Sequence, residues 1–220
     1  ISAPNALHCE MTIEAARAGK HVVCEKPLCV TLEEADRMIA VCREEGVLLL
    51  YAEELLFAPK YVKAKQMADE GAFGRIHLVK QGEKHFGPHS DWFWDVRKSG
   101  GGALMDLGCH GIAFCHWFLG GAKVRSVYAQ LSTQVHGART EGEDEAICII
   151  EFEGGAVGVV ENSWAKPGGM DDSIEVFGSE GQTYADMLMG NALTTYSEVG
   201  FGYAVEKATT TRGWTFPVFE

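Results

Sequence analysis

The chain has 220 residues, of which 46% are hydrophobic and 23% are charged, enough apolar material for one large or two small packed domains. Its formal net charge of -12 repels nucleic acid and anionic lipid, and no apolar run approaches the roughly 20 residues of a membrane-spanning helix. The cysteines are odd in number and form no CxxC pair, which predicts reduced thiols in a cytoplasmic protein. We therefore expect neither a nucleic-acid partner nor a membrane partner.

The first part of the chain alternates helical and strand patterns. Residues 5–18 carry apolar side chains at helical spacing, and Thr31 followed by Glu34 forms a capping box that begins a second helix. Short apolar runs at 21–24 and 47–51 are typical of buried parallel strands. This order predicts half of a doubly wound parallel sheet.

The remainder of the chain changes to two helices followed by many short strands. Helices are predicted at residues 59–71 and 103–118, and glycine-rich turns separate the apolar runs that follow. These runs predict strands at residues 124–131, 146–152, 157–163, 173–177 and 183–187. The predicted fold class is α/β, with a partial parallel sheet in residues 1–52 and an α+β domain with a large, mostly antiparallel sheet in residues 53–220. We expect the ligand in the cleft between them.

A glutamate and a lysine follow the first predicted strand. Ligands bind at the carboxyl edge of an open α/β sheet, and Glu25, Lys26 and Pro27 stand there. A lysine in this position can donate a hydrogen bond to a substrate oxygen and stabilise developing negative charge. The alternative is an ordinary ion pair in a loop.

A glycine-rich turn leads into the helix predicted at residues 103–118. Asp106 and His110 are four residues apart, which places both on one face of an α-helix, where the carboxylate can orient the imidazole and raise its basicity. Such a histidine can act as a general base towards a hydroxyl group. The alternatives are that the glycines bind a phosphate or only cap a core helix.

Residues 83–95 are dense in aromatic and polar side chains. Aromatic faces can stack on the apolar side of a sugar ring while aspartate and histidine bind its hydroxyls, which predicts a sugar-binding loop. The candidate contacts are His85, His89, Asp91, Trp92 and, from another segment, Trp164. The alternative is a structural loop held by buried tryptophans. We expect no metal site among the histidines and aspartates, because no HExxH pattern occurs.

Three segments, in this order and spacing, resemble the Gfo/Idh/MocA oxidoreductases, the superfamily of glucose-fructose oxidoreductase and inositol dehydrogenase. They are PNALH at 4–8, GKHVVCEKP at 19–27 and SGGGALMDLGCH at 99–110. The sequence FGSEG at 177–181 also resembles a turn in the second domain of that family. The likeness covers nearly the whole chain.

The resemblance implies a Rossmann domain that binds NAD or NADP, followed by a domain whose open sheet often mediates homo-oligomer contacts. It assigns the active-site lysine to Lys26, and a paired aspartate and proton-accepting histidine to Asp106 and His110. The positions that match the nicotinamide side of the cofactor pocket are Pro4, Asn5, His8, Glu25 and Lys26. The implied activity is hydride transfer between a nicotinamide and a secondary hydroxyl of a sugar or cyclic polyol.

Two departures from the family pattern bear on this expectation. No GxGxxG fingerprint lies in the chain, which opens on Ile1 and ends abruptly at Glu220, so we expect further sequence beyond both ends. Residues 53–57 read EELLF, where relatives commonly carry an asparagine and an arginine before the phenylalanine. The rival hypotheses are an NAD-dependent glycoside hydrolase of the same superfamily and a non-catalytic fragment.

Overall fold

A two-stranded parallel sheet organises the first 52 residues in the computed structural model, which describes residues 1–188 and 193–200. Its elements in chain order are a 3-10 turn (Asn5–Leu7), α1 (His8–Arg17), β1 (Val22–Glu25), α2 (Leu32–Glu44) and β2 (Leu49–Ala52). An apolar cluster that includes Cys9, Val22 and Met38 joins both helices to β1. The predicted alternation of helix and strand is confirmed.

The start of α2 shows how the sequence sets a helix boundary. The Thr31 side chain accepts a hydrogen bond from the backbone N–H of Glu34 at 3.2 Å, and the Glu34 carboxylate accepts one from the backbone N–H of Val30 at 3.1 Å. Gly46 follows the helix with φ of 65°, a left-handed conformation that favours glycine. The N-cap predicted at Thr31 is therefore formed, and the Glu34 side chain closes the turn onto Val30, one residue before the position that a capping box uses.

A seven-stranded sheet dominates the rest of the described chain. Its strands are β3 (Ile76–Lys84), β4 (Val124–Ser132), β5 (Glu145–Phe152), β6 (Val157–Ser163), β7 (Asp171–Gly178), β8 (Gly181–Asp186) and β9 (Thr194–Ser197). The order across the sheet is β4-β5-β6-β3-β7-β8-β9, and every neighbouring pair is antiparallel except β3 with β6. The predicted fold class is confirmed.

The helical elements of this region cover the sheet or lead to it. They are a 3-10 turn (Glu54–Phe57), α3 (Pro59–Asp69), a second 3-10 turn (Asp91–Trp94), α4 (Val96–Ser99), a π-helical turn (Leu104–Gly108) and α5 (Cys109–Phe118). The helix predicted at 103–118 is thus a π-helical turn followed by an α-helix. Residues 189–192 and 201–220, which belong to the second predicted domain, lie outside the described residues.

The sequence pattern does not predict β3, although this strand lies at the centre of the large sheet. Its buried positions begin with the apolar Val79 but continue with Gln81 and Glu83, both 2% exposed or less. A half-buried strand is usually recognised by its alternation of apolar and polar residues. Polar residues on the inner face of β3 remove this alternation, so the pattern does not predict a strand. The inner face is polar because this end of β3 reaches the site described below.

One face of the large sheet carries the main core. Side chains of α3 and α5, including Tyr61, Phe114 and Phe118, pack there with sheet residues such as Val160 and Ile174. Burying each of these large side chains stabilises the fold by about 2 kcal/mol. No helix in the described ranges is both long enough and apolar enough to cross a membrane.

Candidate active site

A cavity of about 230 Å³ lies at the carboxyl end of β1, where the small sheet meets β3 and the π-helical turn. This is the edge of a parallel sheet at which α/β proteins bind ligands. The cavity is lined by Ser2, Ala3, Asn5, Glu25, Lys26, Glu54, Glu83, His89, Trp92, Phe93, Asp106, Leu107 and His110. All three predicted catalytic residues, Lys26, Asp106 and His110, therefore share one cavity.

Lys26 is held at the cavity wall by Asp106. Its ammonium donates hydrogen bonds to Asp106 Oδ1 at 3.1 Å and to the backbone carbonyl of the same residue at 2.8 Å. Burial alone lowers the pKa of Lys26, but the charges around it, that of Asp106 above all, raise the pKa above its ordinary value. Lys26 is thus protonated at neutral pH and acts as a positively charged donor.

Asp106 does not orient His110, contrary to the prediction. Its Oδ1 accepts from Lys26 and its Oδ2 accepts from the indole N–H of Trp164 at 3.1 Å, and the two predicted partners share no hydrogen bond in the described structure. The reason is local, because Leu104–Gly108 is a π-helical turn whose hydrogen bonds close over five residues rather than four. Trp164 is fully buried and supports Asp106 instead of lining the cavity.

Glu53 orients His110, which is the role predicted for Asp106. Its Oε1 lies 2.5 Å from Nδ1 of His110, and both side chains are buried. The carboxylate accepts a hydrogen bond from Nδ1–H, so in the neutral imidazole the lone pair is on Nε2. Nε2 makes no hydrogen bond to any other described residue. Burial alone lowers the pKa of His110, but the Glu53 hydrogen bond and the charge of Glu83 raise it to about 9.

Sequence reasoning missed Glu53 although a signal for it existed. Strands β1 and β2 are parallel, with Glu25 in register with Ala52, so their carboxyl ends meet at one edge of the small sheet. The rule that singles out Lys26 after β1 applies equally to the residue that follows β2. Glu53 belongs to the segment that departs from the family pattern, and this departure supplies the partner of His110.

Glu83 is an acidic side chain of the cavity that is absent from the predicted site residues. It lies on β3, is 2% exposed, and its Oε2 has no hydrogen-bond partner. Burial raises the pKa of Glu83, His110 opposes this increase, and Asp172 adds to it by repulsion. The cavity therefore holds a carboxyl group that no donor of the described chain satisfies.

The glycine turn before the π-helical turn binds an anion that belongs to the protein itself. The backbone N–H groups of Gly102 and Leu104 donate to the Glu143 carboxylate at 3.2 and 2.8 Å. A Cβ on Gly102 would lie 2.0 Å from the Glu143 carbonyl oxygen, so only glycine fits there. The turn caps a helix, and the phosphate-binding alternative does not hold in this structure.

Three of the predicted nicotinamide-side residues line the cavity, namely Asn5, Glu25 and Lys26. Asn5 is buried, and its amide donates to the backbone carbonyl of Ser99 at 2.8 Å. This contact ties the start of the chain to the second region, so the cavity wall is shared by both.

The other two predicted cofactor residues, Pro4 and His8, do not line the cavity. His8 is buried, and its ring nitrogens lie 3.0 Å from the carbonyl of Pro27 and 2.9 Å from the carbonyl of Ala3. It thereby holds together the two segments that carry Asn5 and Lys26. In this structure His8 therefore positions these two segments.

The aromatic loop places only part of its predicted contacts at the cavity. His89 and Trp92 line it, and His85 stacks on His89 with ring centroids 4.4 Å apart. Burial and the neighbouring His89 lower the pKa of His85. Asp91 lies elsewhere, because its side chain is 97% exposed and faces Arg139 at 3.7 Å.

Comparisons with known protein families agree with this architecture. Residues 61–184 match the family model described as the GFO/IDH/MocA C-terminal domain. Residues 1–53 match the model described as an oxidoreductase family with an NAD-binding Rossmann fold. The chain spans a little more than half the length of the curated relatives that it matches first.

The relatives include dehydrogenases of a polyol and of a sugar derivative. Myo-inositol 2-dehydrogenase of Thermotoga maritima is 31% identical, over 88% of this chain and 57% of that protein. The structure of GenD2 from gentamicin A biosynthesis, in complex with NAD, is 36% identical with a TM-score of 0.82, over 93% of this chain and 58% of that one. Levoglucosan dehydrogenase in complex with NADH and levoglucosan is 27% identical with a TM-score of 0.85, over 99% of this chain and 67% of that one. The predicted resemblance is confirmed, and the chain belongs to the Gfo/Idh/MocA family of oxidoreductases.

Proposed function

We propose that the protein carrying this chain is an NAD- or NADP-dependent dehydrogenase that oxidises a secondary hydroxyl of a sugar or cyclic polyol. The observation that carries the proposal is that one cavity contains a protonated lysine and a buried histidine whose free nitrogen is Nε2. A donor for the reacting oxygen and an acceptor for its proton are the two groups that this chemistry requires.

The residues at the sheet edge fit the nicotinamide end of the cofactor. Asn5, Glu25 and Lys26 line the cavity just beyond β1, the place where dinucleotides bind in this fold. When bound, NAD or NADP would supply the hydride acceptor. Two similar solved structures are described as complexes with NAD or NADH, which supports this choice of cofactor.

Lys26 and His110 have different proposed roles at the substrate hydroxyl. Lys26 has three N–H donors, of which two bond to Asp106, so one is left for the substrate oxygen. His110 accepts the hydroxyl proton at Nε2, and Glu53 stabilises the imidazolium that forms. Asp106 holds the lysine in place.

His89 and Trp92 are the proposed contacts to the sugar or polyol ring. Both line the cavity, and an indole face suits the apolar side of such a ring. His85 acts through His89, on which it stacks, and Trp164 acts through Asp106. Similarity to dehydrogenases of inositol and levoglucosan supports a small polyhydroxylated substrate.

The open face of the large sheet supports a homo-oligomer. Tyr128 on β4 and Ile147 and Ile149 on β5 project from this face and are 61%, 47% and 39% exposed, an apolar surface of the kind that a second copy would cover. The cytoplasmic location and the domain boundary between residues 52 and 53 stay predictions.

The test is turnover by the full-length protein with NAD or NADP and a panel of sugars and cyclitols, followed through the absorbance of the reduced cofactor. Lys26→Ala should lower kcat at least about 100-fold, the usual cost of losing a donor to the reacting oxygen. Lys80→Ala is the matched control, because Lys80 is on β3 but pairs with Glu175 outside the cavity. Wild-type turnover by Lys26→Ala would contradict the assignment.

A further inference from the structure

The cavity is lined by more acidic side chains than it has lysine or arginine side chains to pair with them. Four carboxylates line it, those of Glu25, Glu54, Glu83 and Asp106, and Lys26 is the only lysine or arginine among the lining residues that the structure describes. Lys26 is bonded to Asp106 and His110 is bonded to Glu53, while His89, the other histidine of the lining, stacks on His85. Lys26 and His110 therefore already have an acidic partner each.

Glu83 is the carboxylate that this arrangement leaves without a partner. It is 2% exposed, it lines the cavity, and no donor among the described residues bonds to either of its oxygens. A buried carboxylate without a hydrogen bond costs free energy, and a bound ligand can remove this cost by supplying donors. Glu54, which also lines the cavity, has an unpartnered buried Oε2 as well.

The charged groups that face Glu83 come from every element packed around it. His110 on α5 and Lys26 after β1 favour its ionised form, whereas Asp172 on β7 and Asp106 in the π-helical turn oppose it. Burial is the largest cause and raises the pKa of Glu83 to about 8, so the carboxyl group is largely protonated near neutral pH, and a positive charge placed beside it would favour the ionised form.

From this geometry we infer that the substrate is an amino sugar or aminocyclitol whose protonated amine binds Glu83, an inference that rests on the proposed dehydrogenase function. An ammonium offers three donors and one positive charge, which match the unpaired carboxylates of Glu83 and Glu54. A hydroxyl would supply a donor but no positive charge, so it would not favour the ionised form of Glu83. A phosphate or carboxylate on the substrate would be repelled.

Three probes with the same ring test this inference in the full-length protein with NAD bound. They are scyllo-inositol, its monoamine 1-amino-1-deoxy-scyllo-inositol, and its monophosphate, titrated by calorimetry near neutral pH. The amine should bind at least about tenfold more tightly than the polyol, the equivalent of one charge-assisted pair, and the phosphate should bind more weakly than either. Amine binding should also release protons, seen as a dependence of the heat on buffer ionisation.

Glu83→Gln removes the charge that would pair with the amine while keeping nearly the same side-chain size. The variant should bind the amine and the polyol with equal affinity, so that both the preference for the amine and the proton release are lost. Glu161→Gln is the control, because Glu161 pairs with Lys84 outside the cavity, and it should keep the preference. If Glu83→Gln fails to fold, the comparison of the three probes on the wild type decides alone.

The outcomes for this inference and for the proposed function are distinct. Equal affinity for amine and polyol, an absence of amine binding, or a preference that persists in Glu83→Gln would overturn the amino-sugar inference. Oxidation of scyllo-inositol without tighter amine binding would leave the dehydrogenase proposal intact. Tighter amine binding without any reduction of NAD across the whole panel would contradict the dehydrogenase proposal alone.

Discussion

Replacing Glu53 by glutamine removes a charge from the partner of His110 while it keeps the shape and the acceptor oxygen. The wild-type pKa of His110 is raised to about 9, compared with an ordinary 6.5, and the difference corresponds to about 3 kcal/mol at about 1.4 kcal/mol per pKa unit. Burial lowers this pKa, and the variant lacks the negative charge of Glu53 that raises it in the wild type. We therefore expect the pKa of His110 in Glu53→Gln to fall to the ordinary value or below it.

The assay is kcat for polyol oxidation as a function of pH in the full-length protein. His110 must be neutral to accept a proton, so the wild-type rate should rise with pH through a midpoint near 9. In Glu53→Gln the midpoint should move to lower pH by about 2 units or more, and the alkaline plateau should stay within about tenfold of wild type because the Nδ1 hydrogen bond can still form.

Glu54→Gln is the matched control for this measurement. Glu54 is the next residue and lines the same cavity, but it makes no hydrogen bond to His110, so its loss should leave the midpoint in place. A midpoint that stays near 9 in Glu53→Gln would refute the view that this carboxylate sets the protonation of His110.

The remaining predictions concern stability. Trp164→Phe removes the indole donor to Asp106 Oδ2 and should destabilise the fold by about 1–3 kcal/mol in urea denaturation, with a lower kcat; unchanged values would mean that this bond contributes little. Gly102→Ala should cost at least about 2 kcal/mol because its Cβ meets a backbone carbonyl at 2.0 Å, whereas Gly137→Ala, whose Cβ lies 3.6 Å from its nearest neighbour, should unfold close to the wild-type midpoint. Thr31→Ala should cost about 1 kcal/mol of thermal stability through loss of the N-cap, and an unchanged melting temperature would contradict the capping argument.

Features that depend on neighbouring residues were predictable. The N-cap at Thr31, the strands with apolar runs and the place of Lys26 after β1 all follow from patterns within about ten residues. Such patterns report backbone propensity and the polarity of one face, and both are local properties. The family resemblance then predicted that Lys26, Asp106 and His110 belong to one site, and these three residues line one cavity.

The sequence alone determined the fold class and the location of the cavity edge, because periodicity and the carboxyl-edge rule need only the chain order. Tertiary packing decided the pairing of the ionisable groups: Lys26 bonds a residue 80 positions away, and His110 one 57 positions away. A π-helical turn cancelled the α-helical spacing on which the predicted Asp106 contact depended. The carboxyl-edge rule could have placed Glu53 at the cavity, but its hydrogen bond to His110 and the unpaired oxygen of Glu83 depend on distances and burial that exist only in the folded chain.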